Sequence, residues 1–354
     1  MSKVIKSINF SELKDGMIIA KDLEQNGRVI IKKGLILNKA LIEKLKNVYF
    51  IGTVDVYENR NNSEEKSEEK KVIEFNKIEE EFTKISDELR TTFDKIFTYN
   101  DDFISDIREF SKRIQKEIKS QDLVIKNIVL HGSGSDVIYR HGVNVSALCS
   151  LLGMWLNMSV KQINLLVYSA ILHDCGKIKL NSELLNKPES LTDAEYKEIK
   201  KHSVFGYDMV KKLQYIDKSV SYGVLMHHER VDGSGYPLGL KGDEIHPFAK
   251  IIAIADVFDA INSDRGYKNK KTPFEALRIV KEESLGRLDY EYVQVFLEHI
   301  ISYYMGEEVL LNNGDRCKIL QMNINNIQRP LLLKDGEFID LAKHKELYIE
   351  EILL

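Results

Sequence analysis

Cysteine is scarce in this sequence: Cys149, Cys175 and Cys317 are the three among 354 residues. An odd count with no CxxC spacing gives no sign of a disulfide framework or a zinc knuckle, so these read as buried, reduced thiols. Positive charge is not in excess either. Against 51 Lys+Arg stand 55 Asp+Glu, a formal net charge of -4. No basic stripe of the kind that grips nucleic-acid phosphates stands out, so nucleic acid is not an expected partner. Long apolar runs are missing too. No stretch approaches the about 18 consecutive apolar residues that cross a bilayer. The opening MSKVIKSINF lacks the apolar region and small-residue cleavage site of a secretion signal. The reading is a cytoplasmic protein with no membrane partner.

What is present fits a folded protein of two or three domains, with 43% hydrophobic and 30% charged residues, an ordinary globular balance. Residues 1–60 read as a small β-rich N-terminal domain. In GRVIIKKGLIL, branched residues sit between Gly27 and Gly34, and TVDVYE alternates as a half-buried strand does. A short helix around Lys39 to Lys46 is expected among these strands. Residues 61–125 read as a linker and amphipathic helices. NNSEEKSEEKK is wholly polar, and then Phe75, Ile78, Phe82, Ile85, Leu89 and Ile96 recur at steps of mostly three and four. That stripe serves equally a helix packed on its own domain and a coiled-coil segment joining a homodimer. From 126 to 305 the periodicity is helical, with capping boxes expected at Ser159 with Gln162 and at Thr192 with Glu195. Residues 306–354 return to strands, with turn pairs Asn313-Gly314 and Asp335-Gly336. The fold class is mainly α: a helical domain flanked by small N-terminal and C-terminal β modules.

Five of the nine histidines lie between 141 and 228, and their contexts carry the chemistry. ILHDCGK ends the apolar run INLLVYSAILHD. Adjacent helical side chains diverge by about 100°, so His173 and Asp174 meet at one cation only near an edge, and the carboxylate can reach a second. Asp174 is therefore a natural bridge. Lys177, three residues on, shares its face and can contact a phosphate or neutralise a carboxylate. HHERVDGSGYPLGL joins His227 and His228 to a loop whose glycines let a ligand approach the backbone. In KIIAIADVFDAI, Asp256 and Asp259 sit in so apolar a helix that each needs a cation or metal. One can be a ligand while the other pairs with Lys177.

In order, YRHGVNV, LHDCGK, KHSVFG, HHERVDGSGYP and ADVFDAINSDRGYK resemble the HD-GYP family, a branch of the HD metal-dependent phosphohydrolases. The resemblance runs from His141 through Lys268. It implies an all-helical domain that hydrolyses the 3′-5′ phosphodiester bonds of cyclic di-GMP to pGpG, and further to GMP. It implies His141, His173, Asp174 and Asp256 at one metal, and His202, His227 and His228 at a second, with Asp174 shared. It also implies Lys177, Tyr236, Arg265 and Lys268 at substrate, with Asp174 and Lys177 catalytic. Some members carry a Glu associated with a third metal where this chain has Val137, so two divalent ions are expected, iron or manganese by the same resemblance. Paired cations suit the chemistry, since they supply hydroxide near neutral pH and absorb charge on a phosphodiester. A receptor for cyclic di-GMP without catalysis, and an enzyme for another cyclic dinucleotide, are the competing readings.

Overall fold

The computed structural model describes residues 5–15, 17–21, 23–25, 28–31, 33–35, 37, 42, 53–57, 62–96, 101–134, 136, 138–185, 187, 189–214, 216–263, 273–335 and 337–353. It divides into two compact units, Met1–Ile73 and Glu74–Leu354. In the first, β1 (Ile5–Asn9) and β2 (Ile18–Ile19) both pair antiparallel with β5 (Thr53–Tyr57), in the order β1-β5-β2. The alternation read in TVDVYE is real: Val54 and Val56 point into a core with Ile8, Ile19 and Leu37. Strands β3 (Leu23–Gln25) and β4 (Arg28–Ile31) form a separate antiparallel pair. The helix expected around Lys39 to Lys46 falls, apart from Ile42, outside the described residues.

Helix α1 (Asn62–Phe93) takes up the polar stretch as its first turns. Its later apolar stripe is buried against the core of the second unit, with Ile78, Phe82, Ile85 and Leu89 all inaccessible to solvent. Of the two uses open to that stripe, packing on its own domain is the one seen. Helices α2 (Asp101–Glu117), α3 (Gln121–His131), α4 (Tyr139–Trp155) and α5 (Val160–Leu172) follow. Every residue of α4 from Arg140 to Gly153 is buried, which its sequence permits because apolar residues surround the helix rather than striping it. It packs against α5 and α10 (Pro247–Asn262). The short α6 (Ser182–Leu185) leads to α7 (Asp193–Lys200), α8 (His202–Val210) and α9 (Lys218–Met226), and α11 (Pro273–Glu283) and α12 (Tyr290–Ser302) complete the helices. Both capping boxes form where expected: Ser159 accepts from the Gln162 N–H and Thr192 from that of Glu195, each reciprocated.

Strands β6 (Glu308–Leu311), β7 (Arg316–Gln321), β8 (Leu331–Lys334), β9 (Glu337–Asp340) and β10 (Ile349–Leu353) make an antiparallel sheet in the order β10-β6-β7-β8-β9. Gly314 and Asp335 take positive φ, 85° and 50°, in the two tight turns, as such turns require. Val309, Leu311, Ile319 and Leu332 share one continuous core with the helices. Among the described residues no helix is long and apolar enough to cross a membrane.

Candidate metal centre

Each histidine of the centre sits at or near a helix end. His141 is the third residue of α4, His173 follows α5, His202 opens α8, and His227 and His228 follow α9, while Asp256 lies inside α10. These ends meet because the turn Cys175–Lys179 lies directly on α8. Gly176 makes that approach feasible, since a Cβ there would stand 1.9 Å from the His202 carbonyl oxygen. Ligand-capable atoms then fall into two groups, each within 4.8 Å: Asp174, His202, His227 and His228 in one, and His141, His173 and Asp256 in the other.

Three of the rings are oriented by the same device. The Nδ1 atoms of His173, His202 and His227 each lie 2.7 Å from the carbonyl oxygen three residues earlier, on Ala170, Ile199 and Val224. A carbonyl can only accept, so Nδ1 carries the proton and Nε2 presents a lone pair to the cluster. Burial reinforces this by holding His202 below the ordinary histidine range and His227 and His228 well below it, with neighbouring histidines adding to the effect for the last two. The neutral imidazole that ligates metal is thus the favoured form.

The consequence is an electrostatic demand. His202 Nε2 and His227 Nε2 face each other at 3.3 Å, two lone pairs with no proton to share. His173 Nε2 and Asp174 Oδ1 are buried without a hydrogen-bond partner. Asp174 Oδ1 is 3.3 Å from His202 Nε2 and 3.9 Å from His227 Nε2, while Oδ2 is 3.3 Å from His173 Nε2 and 3.8 Å from His141 Nε2. Buried polar atoms without partners are costly, and a cation among these donors removes the cost. The residues present therefore fit a metal.

His141 is held differently. Its Nδ1 is 2.7 Å from Asp259 Oδ2 and its Nε2 is 3.0 Å from Asp256 Oδ1. Burial lowers its pKa, but these two carboxylates overcome that and raise it to about 9. The Nε2 proton is the one that must leave for a cation to bind. Burial likewise opposes ionisation of Asp256 and Asp174, yet His141 beside the first, and Lys177 and His173 beside the second, hold both well below the usual carboxylate range.

The structure corrects the pairing expected for Asp259. Lys177 Nζ lies 2.5 Å from Asp174 Oδ2, whereas Asp259 takes His141, accepts from Asn144 Nδ2 at 2.8 Å, and meets Ser263 Oγ at 3.5 Å. Spacing holds the reason: Asp259 is three residues from Asp256, on the same face of α10, and so turns toward the same histidine. Asp259→Asn should keep the fold and lower metal affinity by about 10–100-fold, as losing a histidine's carboxylate partner does; titration of metal into stripped protein measures it.

Tyr236 reaches the centre through its loop. Its ring stacks on His228, centroids 4.6 Å apart, because buried Glu229 accepts the N–H groups of Leu238 and Leu240 at 2.6 and 3.0 Å and folds the loop back. Gly235 makes the return possible, as a Cβ there would lie 2.4 Å from the Glu229 Cα. Glu229 and Asp259 are the residues that motif reading did not assign. Arg140 is a third, buried next to His141 with Glu79 of α1 at 2.7 Å and Asn144 at 3.1 Å. Arg265 and Lys268 lie outside the described residues. Asp136, one position from the place of a third-metal Glu, instead accepts the N–H groups of Ile138 and Tyr139 at the start of α4.

Residues 117–292 match the family model described as an HD domain. The chain is 32% identical over 198 residues to a cyclic di-GMP phosphodiesterase of Pseudomonas aeruginosa, covering 56% of this chain and 48% of that one. It is 35% identical over 192 residues to the 3′3′-cGAMP-specific phosphodiesterase 1 of Vibrio cholerae, covering 53% and 43%. A cyclic di-GMP phosphodiesterase of Thermotoga maritima is 36% identical over 184 residues, half of each chain. The chain spans about half the length of these curated relatives. Among solved structures, an HDG"Y"P protein of Bdellovibrio bacteriovorus superposes with a TM-score of 0.53 at 19% identity, covering 84% of this chain and 100% of that one, a likeness of fold. Segment, motifs and fold agree, and through residues 117–292 the chain belongs to the HD-domain family, in its HD-GYP branch.

Proposed function

We propose that this chain hydrolyses cyclic di-GMP to pGpG, with GMP as the product of a second cut, at two divalent cations, iron or manganese. His141, His173 and Asp256 would hold one ion, His202, His227 and His228 the other, and Asp174 both. The observation that carries this reading is the Asp174 carboxylate, whose two oxygens face different histidine groups. When bound, the pair supplies a hydroxide near neutral pH and a Lewis acid for the phosphoryl oxygens. An all-imidazole and carboxylate donor set without thiolate suits iron or manganese.

The chain's own residues do the rest. Lys177 keeps Asp174 ionised and, with its side chain 15% exposed, offers its ammonium to a substrate phosphate. Tyr236 covers His228 and closes that side to water. Arg265 and Lys268, three apart in sequence, would contact substrate, as the family resemblance implies. The names of the Vibrio cholerae relatives favour a second substrate, 3′3′-cGAMP. Anaerobically purified protein incubated with iron or manganese should convert cyclic di-GMP to a linear product on chromatography. Binding without product would make the chain a receptor, and turnover of 3′3′-cGAMP alone would change the substrate.

A further inference from the structure

A cleft of about 480 Å³ is lined on one part by Lys177 and Ile178 of the HDCGK segment, and on another by Arg90 and Asp94 at the end of α1, with Asp136 and Tyr139 also in its wall. That volume lies in the range of about 300–1,000 Å³ that holds small ligands. Lys177 joins the cleft to the centre through its 2.5 Å contact with Asp174, so a molecule gripped at the centre by a phosphate can extend into it.

The lining is suited to a purine. The Arg90 guanidinium lies over the Tyr139 ring, 4.5 Å from its centroid, and Asp136 Oδ2 holds it at 3.1 Å. Asp136 is itself fixed, since its other oxygen accepts the Tyr139 N–H at 2.8 Å. A planar cation layered on an aromatic ring and clamped by a carboxylate is a ready platform, and bases stack on such guanidinium planes and aromatic rings. The Arg90 side chain keeps 57% of its surface exposed. Asp94 adds an exposed carboxylate, which accepts hydrogen bonds only. Guanine offers such a group its N1–H and N2–H together, whereas adenine turns a bare N1 lone pair toward it.

We propose that this cleft is a base subsite in which one purine of the substrate stacks on Arg90 while Asp94 takes the N1–H and N2–H of guanine, giving preference for guanine over adenine. The inference rests on the reading of the centre as a cyclic dinucleotide phosphodiesterase. It also gives a substrate role to residues 90 and 94, which lie before the family segment at 117–292.

The test is equilibrium binding of cyclic di-GMP and cyclic di-AMP to the metal-stripped full chain, by anisotropy of a labelled dinucleotide with unlabelled competitors. Arg90→Ala should weaken cyclic di-GMP binding by at least about tenfold, the usual order for losing a stacking partner. Arg90→Lys retains the charge that pairs with Asp136 but not the plane, and should weaken binding nearly as much. Asp94→Ala should leave affinity for cyclic di-AMP unchanged and remove most of the preference for cyclic di-GMP. In manganese-loaded protein the same variants should raise KM with little change in kcat, and their metal content should equal that of wild type. Wild-type affinity in both Arg90 variants, an undiminished guanine preference in Asp94→Ala, or no binding by the wild-type chain would each overturn the proposal. If the chain binds as described but releases no product, the hydrolytic reading fails and the subsite stands.

Discussion

Alanine at both His173 and Asp174 is expected to lower turnover of cyclic di-GMP by at least about a thousandfold and to strip the protein of most of its metal. Asp174 lies within 3.9 Å of ring nitrogens from both histidine groups, so its loss removes a donor from each at once. His173 Nε2 is one of the buried atoms that no hydrogen bond satisfies, and its loss leaves the second group with His141 and Asp256 alone. The fold should survive without metal, because the alanines relieve buried polar atoms rather than create them. Three measurements check this together: product formation, metal content by mass spectrometry, and thermal midpoint with and without manganese. Manganese should raise the midpoint of wild type and leave that of the variant unmoved, since only a protein that binds the ion is stabilised by it. Substantial turnover in the double variant would remove the basis for a shared carboxylate.

The motif residues were legible in sequence because each combines a costly residue with a context that explains it. Asp256 within KIIAIADVFDAI is such a case, and paired His227 and His228 at the end of an apolar helix are another. Capping boxes at Ser159 and Thr192 were legible for a local reason, since every atom they use lies within four residues. What escaped was long-range. Nothing near Arg140 in sequence indicates that its guanidinium is answered by Glu79, 61 residues earlier. The Asp259 pairing was misjudged because two cations, Lys177 and a protonated His141, were both candidates and only the folded distances separate them. That the strands after Met305 complete the core of the helices depends on tertiary packing, which periodicity does not report.

Helix α1 precedes the family segment, yet it reaches the centre at two points. Glu79 pairs with Arg140, the neighbour of His141, and Arg90 stands in the cleft wall beside Tyr139. A buried guanidinium is tolerated when its donors are answered. Arg140 finds Glu79, Thr83, Asn127 and Asn144, and Asn144 in turn donates to Asp259. The chain of contacts from α1 to His141 is therefore continuous, through side chains that each have a second partner.

Gly176→Ala should be the most damaging single methyl in the protein, costing at least about 3 kcal/mol of stability and most of the metal affinity. The added Cβ would fall 1.9 Å from the His202 carbonyl oxygen and 2.5 Å from the Gly206 backbone nitrogen. Both obstacles are backbone, so no side-chain rotation relieves them and α8 must move away from the turn. Because His202 is the first residue of α8, that movement carries its ring away from His227 and Asp174. Gly206→Ala is the matched control: its nearest obstacle is the Val224 Cγ1 at 2.9 Å, a side-chain methyl on the neighbouring α9. Urea midpoints and manganese titrations should rank wild type first, Gly206→Ala second and Gly176→Ala last. The reverse order for the two variants would mean that contact of the turn with α8 does not position the ligand, and that His202 is placed by its own helix alone.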